Sequence, residues 1–231
     1  MTLQYVPNKL RPAYATWDMS VRRGTPSRTD KLQRLFGLAS SQAGYFTAVQ
    51  AHGLGYGPRS LVHHVSAGHF KRVGRGFYRL VGVAADSHED IVAAWLRFAP
   101  RSAVVSHDTA LALYELASSR SHAIHLTLPR ERRPRTPQAA VTIKLHTTTM
   151  PLRRDEMANC FGVQVTSPAR TIADVADIGT DPSVIVEATA RALATGLVSS
   201  NELHTAVKRR SARVRQLLER AIEEARGRAM T

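Results

Sequence analysis

The stretch PRSLVHHVSAGHFKRVGRGFYRLVG, from Pro58 to Gly82, restricts the possible folds more than any other part of this chain. Pro58 suits the first position of a helix, where its missing N–H costs nothing, and Gly68 suits the position just past the end. Between them Leu61 and Val65, with Val62 beside them and Phe70 beyond, predict an apolar stripe along one side of a short helix. Phe70 to Val73 and Phe77 to Val81 are then two β-prone runs. The Gly74-Arg75-Gly76 link between them tolerates the positive φ of a tight hairpin and sets Arg75 at its tip.

Upstream, Thr29 to Ser40 (TDKLQRLFGLAS) carries Leu32, Leu35, Phe36 and Ala39 at helical spacing. Thr47 is placed to cap a second short helix, TAVQAH. Three helices followed by a two-stranded wing make a winged helix-turn-helix, whose third helix presents its first residues to base edges in the major groove of DNA. The groups available for this are Arg59, Ser60 and His63 on that helix and Lys71, Arg72, Arg75 and Arg79 on the wing. Thr47 and Gln50, at the start of the second helix, join them as DNA-binding candidates.

Charge points the same way. The chain of 231 residues has a net charge of +14, and residues 1 to 82, with 3 Lys and 9 Arg against 2 Asp, hold +10 of it. A basic domain of this topology calls for a polyanion. A membrane surface is the competing polyanion, but it needs a long amphipathic helix with a bulky apolar face, and the basic segments contain none. No apolar run approaches the roughly 20 residues of a membrane span, and the first residues lack a signal peptide's pattern, so the expected location is the cytoplasm. The single cysteine, Cys160, excludes an internal disulfide, leaves a cysteine-built zinc site without ligands and reads as a packing residue.

The blocks GYFTAVQAHGLG (44–55) and GHFKRVGRGFYRL (68–80) resemble the N-terminal domain of the AbiE-type abortive-infection antitoxins, the AbiEi family. Downstream, VVSHDTALALYEL (104–116) and TSPARTIADVAD (166–177) resemble further blocks of the same proteins, in the same order. The resemblance spans roughly residues 28 to 180 and departs at His64, where the family pattern has an aliphatic residue on the inner face of the third helix. It implies a bacterial antitoxin encoded beside a nucleotidyltransferase-like toxin. The winged helix would repress the shared operon by binding double-stranded DNA at promoter repeats, and the C-terminal domain would counter the toxin, directly or indirectly.

The expected class is α+β, with an N-terminal winged helix-turn-helix followed by a mixed α/β domain with a helical C-terminal half. Residues 1–26 read as an extension, either a basic arm touching DNA backbone through Arg22 and Arg23 or a solvated tail. Residues 27–82 read as the DNA-binding domain. The sign of charge then changes, because residues 83 to 119 hold five acidic and two basic side chains, which sets a boundary near Val83 to Ser87 and a second domain over 83–231. In that domain SHEDIVAAWLRF (87–98) has the pattern of a capping box and a helix. Ala103 to Ser106, Ala123 to Leu128, Ala140 to His146 and Val163 to Thr166 read as strands, and the chain from Ser167 as four helices.

Candidates for chemistry are weak. Ser106-His107-Asp108 has the residue types of a hydrolase triad, but consecutive side chains point apart and a triad gathers distant ones. Ser106 reads instead as a helix N-cap. The ten histidines look scattered, and no metal or other cofactor is expected. Asp174 and Asp177, one helical turn apart, could hold Mg²⁺ or could be ordinary acidic residues interacting with Arg170. The loop PRERRPRTPQ, kept extended by its prolines, presents Arg130, Arg132, Arg133 and Arg135 as a possible second basic patch, and Lys208, Arg209, Arg210, Arg213 and Arg215 form another basic run. Each reads either as solvated surface charge or as a second contact with nucleic acid or an acidic partner. The reading is therefore a non-enzymatic antitoxin. The alternative from another class is a nucleic-acid-processing enzyme, with a nuclease-like C-terminal domain targeted by the winged helix.

Overall fold

The structure, a computed structural model, describes residues 28–84, 87–117, 122–134 and 142–229. It divides into two compact units. One runs up to Pro100 and takes in Phe161–Val163, and the other holds Arg101–Cys160 and the chain from Gln164 onward.

The first unit is the winged helix. Its elements are α1 (Arg28–Ser40), β1 (Tyr45–Thr47), α2 (Ala48–Gly53), α3 (Pro58–Ser66), β2 (Phe70–Gly74), β3 (Phe77–Leu80) and α4 (Glu89–Phe98). The strands form an antiparallel sheet in the order β1-β3-β2. Leu35, Ala39, Phe46, Ala51, Tyr56, Leu61, Phe70 and Leu80 make its core. Phe46 stands edge-on to Phe70 at 5.1 Å and stacks on Tyr78 at 5.7 Å. Fully burying a side chain of this size stabilises by about 1.5–3 kcal/mol, so this aromatic group is what pins the wing to the helices.

Three expectations change here. β1, three residues long, was not legible as a strand, and it makes the wing a sheet of three strands. On α1, Leu35 and Ala39 are buried, but Leu32 and Phe36 are about half exposed, because the inner face is turned toward Leu38 and Gln42. On α3, Val62 is 66% exposed while Leu61 is buried and Val65 half-buried.

The acidic α4 belongs with this unit although the sign of charge has already changed. Tyr45 donates its hydroxyl to Glu89 Oε1 at 2.6 Å, and Arg79 Nε lies 3.2 Å from the same oxygen. The capping box read at Ser87 to Asp90 does not form: His88 is the N-cap and makes no side-chain cap bond, and Ser87 Oγ meets His88 Nδ1 instead.

The second unit is built on a mixed sheet in the order β6-β5-β4-β8-β7. Its strands are β4 (Val104–Val105), β5 (Ala123–Pro129), β6 (Thr142–Thr148), β7 (Met157–Cys160) and β8 (Val163–Thr166). β4 pairs antiparallel with β5 and parallel with β8, and β5 pairs parallel with β6. β5 is buried from Ala123 to Leu128, as a central strand covered on both faces requires, with His125 and Thr127 the polar residues in an otherwise apolar run. α5 (His107–Leu113) follows β4. The C-terminal half is helical as read, with α6 (Pro168–Asp177), α7 (Pro182–Ala194), α8 (Ser200–Val207) and α9 (Ala212–Ala229). Ser199 caps α8 with a complete capping box to Glu202. Cys160 is buried.

Candidate nucleic-acid interface

The winged helix sorts the sequence-predicted residues into three groups. The first is the outer face of α3, where Arg59, Val62, His63 and Ser66 are all exposed. Their spacing of three, one and three residues places them on one stripe of the helix, opposite buried Leu61. Gly57 and Pro58 start this helix, so Arg59 lies in its first turn, where the partial positive charge of the helix end also favours an anion. Ser60 is only half exposed and flanks the stripe. Val62 and Ser66 were missed as members of this face. Period alone could have found them, since they complete the set begun by Arg59 and His63.

The second group is the wing. Lys71 and Arg72 on β2 and Arg75 at the hairpin tip are exposed. Among the described residues, the side chains of Arg59, Lys71 and Arg75 make no hydrogen bond or ion pair, and that of Arg72 reaches only the carbonyl of Gly74 at 3.4 Å. The tip closes through Gly76 at φ +67°, next to an irregularity in register between Arg72 and Gly74. That positive φ is the conformational demand for which the second glycine is suited.

The third group is committed inside the unit. Thr47 Oγ1 accepts from the backbone N–H of Gln50, and Gln50 Oε1 accepts from that of Thr47, a complete capping box for α2. The Gln50 amide also donates to Gln42 Oε1 at 2.8 Å. Arg79 faces inward on β3, bound to Glu89 and to the carbonyl of Val83 and lying 5.7 Å from the Tyr45 ring centroid. Burial and the Glu89 carboxylate push the Tyr45 hydroxyl up to about 12, so it stays a proton donor in this cluster. His64 is half-buried and stacks on Phe70 with ring centroids 4.6 Å apart, filling the place of an aliphatic side chain with a flat one.

In the second unit, Arg130, Arg132 and Arg133 are exposed, but Arg130–Arg132 form a turn of 3₁₀ helix rather than an extended loop. Arg132 donates to Ser102 Oγ at 2.7 Å. Arg135 lies outside the described residues. Asp174 is a buried group and not an ordinary surface acid: it accepts from Arg170 Nε at 2.9 Å and pairs with Arg210, whose other branch reaches Asp177 at 2.8 Å. Arg170 also meets Glu156 at 2.9 Å, and Arg213 donates to the carbonyls of Ala176 and Asp177 at the end of α6. Much of the C-terminal basic run is thereby tied into the fold: Lys208, Arg209, Arg213 and Arg215 are exposed residues, but Arg213 and Arg215 both donate to backbone carbonyls, Arg215 to that of Arg210 at 2.9 Å.

The histidines are not all scattered. His107, His125 and His146 come together with one ring nitrogen from each within 4.8 Å of the others. The β5–β6 register sets Thr127 opposite His146, so His125, two residues before Thr127, shares its face of the sheet. Burial holds all three imidazoles neutral, lowering His107 to about 2 and His125 to about 4 and lowering His146 as well. Ser106 stands at the N-cap position of α5 but spends its hydroxyl on His107 Nδ1 and Thr127 rather than on a cap bond.

Among the described residues no helix is long and apolar enough to cross a membrane. Comparison with known proteins agrees with the geometry. No curated protein matches the chain. The crystal structure of the RV2827C protein from Mycobacterium tuberculosis has a similar fold, with a TM-score of 0.53 at 14% identity over 88% of this chain and 79% of that one. The family model described as "Transcriptional regulator, AbiEi antitoxin" matches residues 33–81, from within α1 to just past β3. Over residues 33–81 the chain is thus similar to the AbiEi antitoxin transcriptional regulators.

Proposed function

We propose that this chain is a non-enzymatic, cytoplasmic antitoxin and autorepressor that binds repeats in the promoter of its own operon and counteracts a nucleotidyltransferase-like toxin. The observation that carries the reading is the exposed stripe Arg59, Val62, His63 and Ser66 on α3, flanked by the exposed cations Lys71, Arg72 and Arg75. An arginine there can make a bidentate bond to guanine, a histidine can donate to an acceptor on a base edge, and a valine can meet a thymine methyl. The wing cations hold phosphates and fix the register without reading sequence. Residues 28–82 are the reading head and α4 is its brace.

The antitoxin activity belongs to the second unit and acts by surface. Asp174 and Asp177, the acids that a metal-dependent nuclease would need, are neutralised by Arg170 and Arg210, which favours a structural use of both. The test is a promoter reporter and a toxin-protection assay in the same cells. Arg59→Glu should relieve repression and keep protection. Loss of both in a folded variant, or of neither, would contradict the division.

A further inference from the structure

We propose that His107, His125 and His146 form a binding site for one divalent transition-metal ion in the second unit, of the zinc, cobalt or nickel type that imidazole ligands favour. His125 Nδ1 and His146 Nε2 lie 3.2 Å apart. Two nitrogens bound to a tetrahedral zinc at about 2.0–2.1 Å are separated by about 3.3 Å, so this pair is already at ligand spacing.

Two of the three outer nitrogens face polar groups of the kind that a metal site uses. His125 Nε2 lies 3.6 Å from Asp108 Oδ2 and His107 Nδ1 lies 2.9 Å from Ser106 Oγ, itself the acceptor of a 2.8 Å bond from Thr127. A ligating histidine characteristically passes its other N–H to a carboxylate or hydroxyl, which fixes the tautomer and aims the lone pair. The ligand atoms are therefore His107 Nε2, His125 Nδ1 and His146 Nε2.

The backbone adds an independent sign. His107 has φ +52°, a left-handed conformation that a non-glycine residue adopts at a cost and that collects at functional positions. It places a nearly buried imidazole over the sheet, stacked on His146 with ring centroids 3.6 Å apart. Stacked rings do not aim at one point, so metal entry must turn one of them. His146 is half-buried on the edge strand β6 and is the ring with room to tilt, which it must do while its Nε2 keeps its spacing from His125 Nδ1. Lys144, Arg170 and Arg210 oppose a cation here, and Asp108 and Asp174 attract it. Because Asp174 is matched by two arginines, Asp108 supplies the uncompensated negative charge.

The test uses the full chain without a tag, stripped with EDTA and titrated with ZnCl₂ by calorimetry and with CoCl₂ by visible absorption. One ion per chain and a tetrahedral cobalt spectrum are expected. His146→Ala should abolish binding, and Asp108→Asn should weaken it roughly 10–100-fold. The pair His64 and His69, whose Nδ1 atoms are 3.2 Å apart on the winged helix, is the competing site. His64→Ala/His69→Ala should leave binding intact. Should His146→Ala misfold, X-ray absorption of the zinc-loaded wild type decides, with three imidazole nitrogens near 2.0 Å expected. No stoichiometric binding, binding that survives His146→Ala, binding lost with His64 and His69, or fewer than three imidazoles around zinc would overturn the proposal.

Discussion

Both units are rich in arginine, yet the arginines do different work. On α3 and the wing of the first unit, Arg59 and Arg75 extend into solvent with no partner among the described residues. In the second unit Arg170, Arg191, Arg210 and Arg213 each meet a carboxylate or a backbone carbonyl, and the cations that stay exposed there, Arg130, Arg133 and Arg209, lie outside the winged helix. Charge alone does not mark a nucleic-acid surface; unspent charge beside an exposed helix face is the stronger sign. A guanidinium already matched inside the fold has little left to give a phosphate, whereas a solvated one can exchange water and counterions for DNA. Arg79 shows the same difference within the first unit, since it sits on the wing but is held by Glu89.

The largest effect that would break this comparison comes from the paired side. Asp174→Ala takes the shared carboxylate from the half-buried Arg170 and Arg210 and leaves them only Glu156 and Asp177, so the cost should be up to about 3–5 kcal/mol, the full value for a charge left buried and unpaired. Urea denaturation with hydrogen exchange of α6 should show that loss in the second unit, with DNA affinity unchanged while the chain is folded. A neutral substitution would mean that the network is ordinary surface charge.

The next concerns the brace. A fragment ending at residue 82 loses Glu89 and with it the partner of Tyr45 and Arg79. It should be less stable than one ending at residue 100 by at least the 1.5–3 kcal/mol of a hydrogen bond to a charged group. Equal melting temperatures for the two fragments would return α4 to the second unit.

Much of this architecture was legible and some was not, for physical reasons. The α3 and wing boundaries follow from Pro58, Gly68 and Gly76, residues whose backbone preferences are strong and local. The inner face of α1 was misjudged because stripes through Leu32 or Leu38 share Leu35 and Ala39, and only tertiary packing chooses between them. β1 is too short to show alternation. The histidine cluster has no local signature at all. It arises from the β5–β6 register and from the turn before α5, which bring together residues far apart in the chain. Thr47 and Gln50 fit both a DNA contact and a cap, and the cap is the bond they make.

That assignment gives a smaller prediction. Thr47→Ala should cost about 1 kcal/mol of stability in the first unit, the usual loss for an N-cap. Its effect on specificity for the promoter should be absent once affinity is compared among folded molecules. A selective loss of promoter binding would make Thr47 a reader.

The smallest effect is expected at the wing tip. Arg75→Ala should weaken binding to promoter and random DNA alike and reduce the slope of log K against log salt by about 0.9, the contribution of one phosphate contact. An unchanged slope would remove Arg75 from the backbone contacts.

The central claim is that sequence is read by the outer face of α3 and by nothing in the second unit. The most direct measurement is the ratio of affinities for the chain's own upstream DNA and for random DNA of equal length, at one salt concentration. It is taken for wild type, Arg59→Ala, His63→Ala and Arg133→Ala. The account predicts a fall of roughly 5–150-fold in the ratio for Arg59→Ala or His63→Ala, corresponding to about 1–3 kcal/mol for a lost base contact, and no change for Arg133→Ala. A ratio unmoved by both α3 substitutions, or lowered by Arg133→Ala, would contradict it.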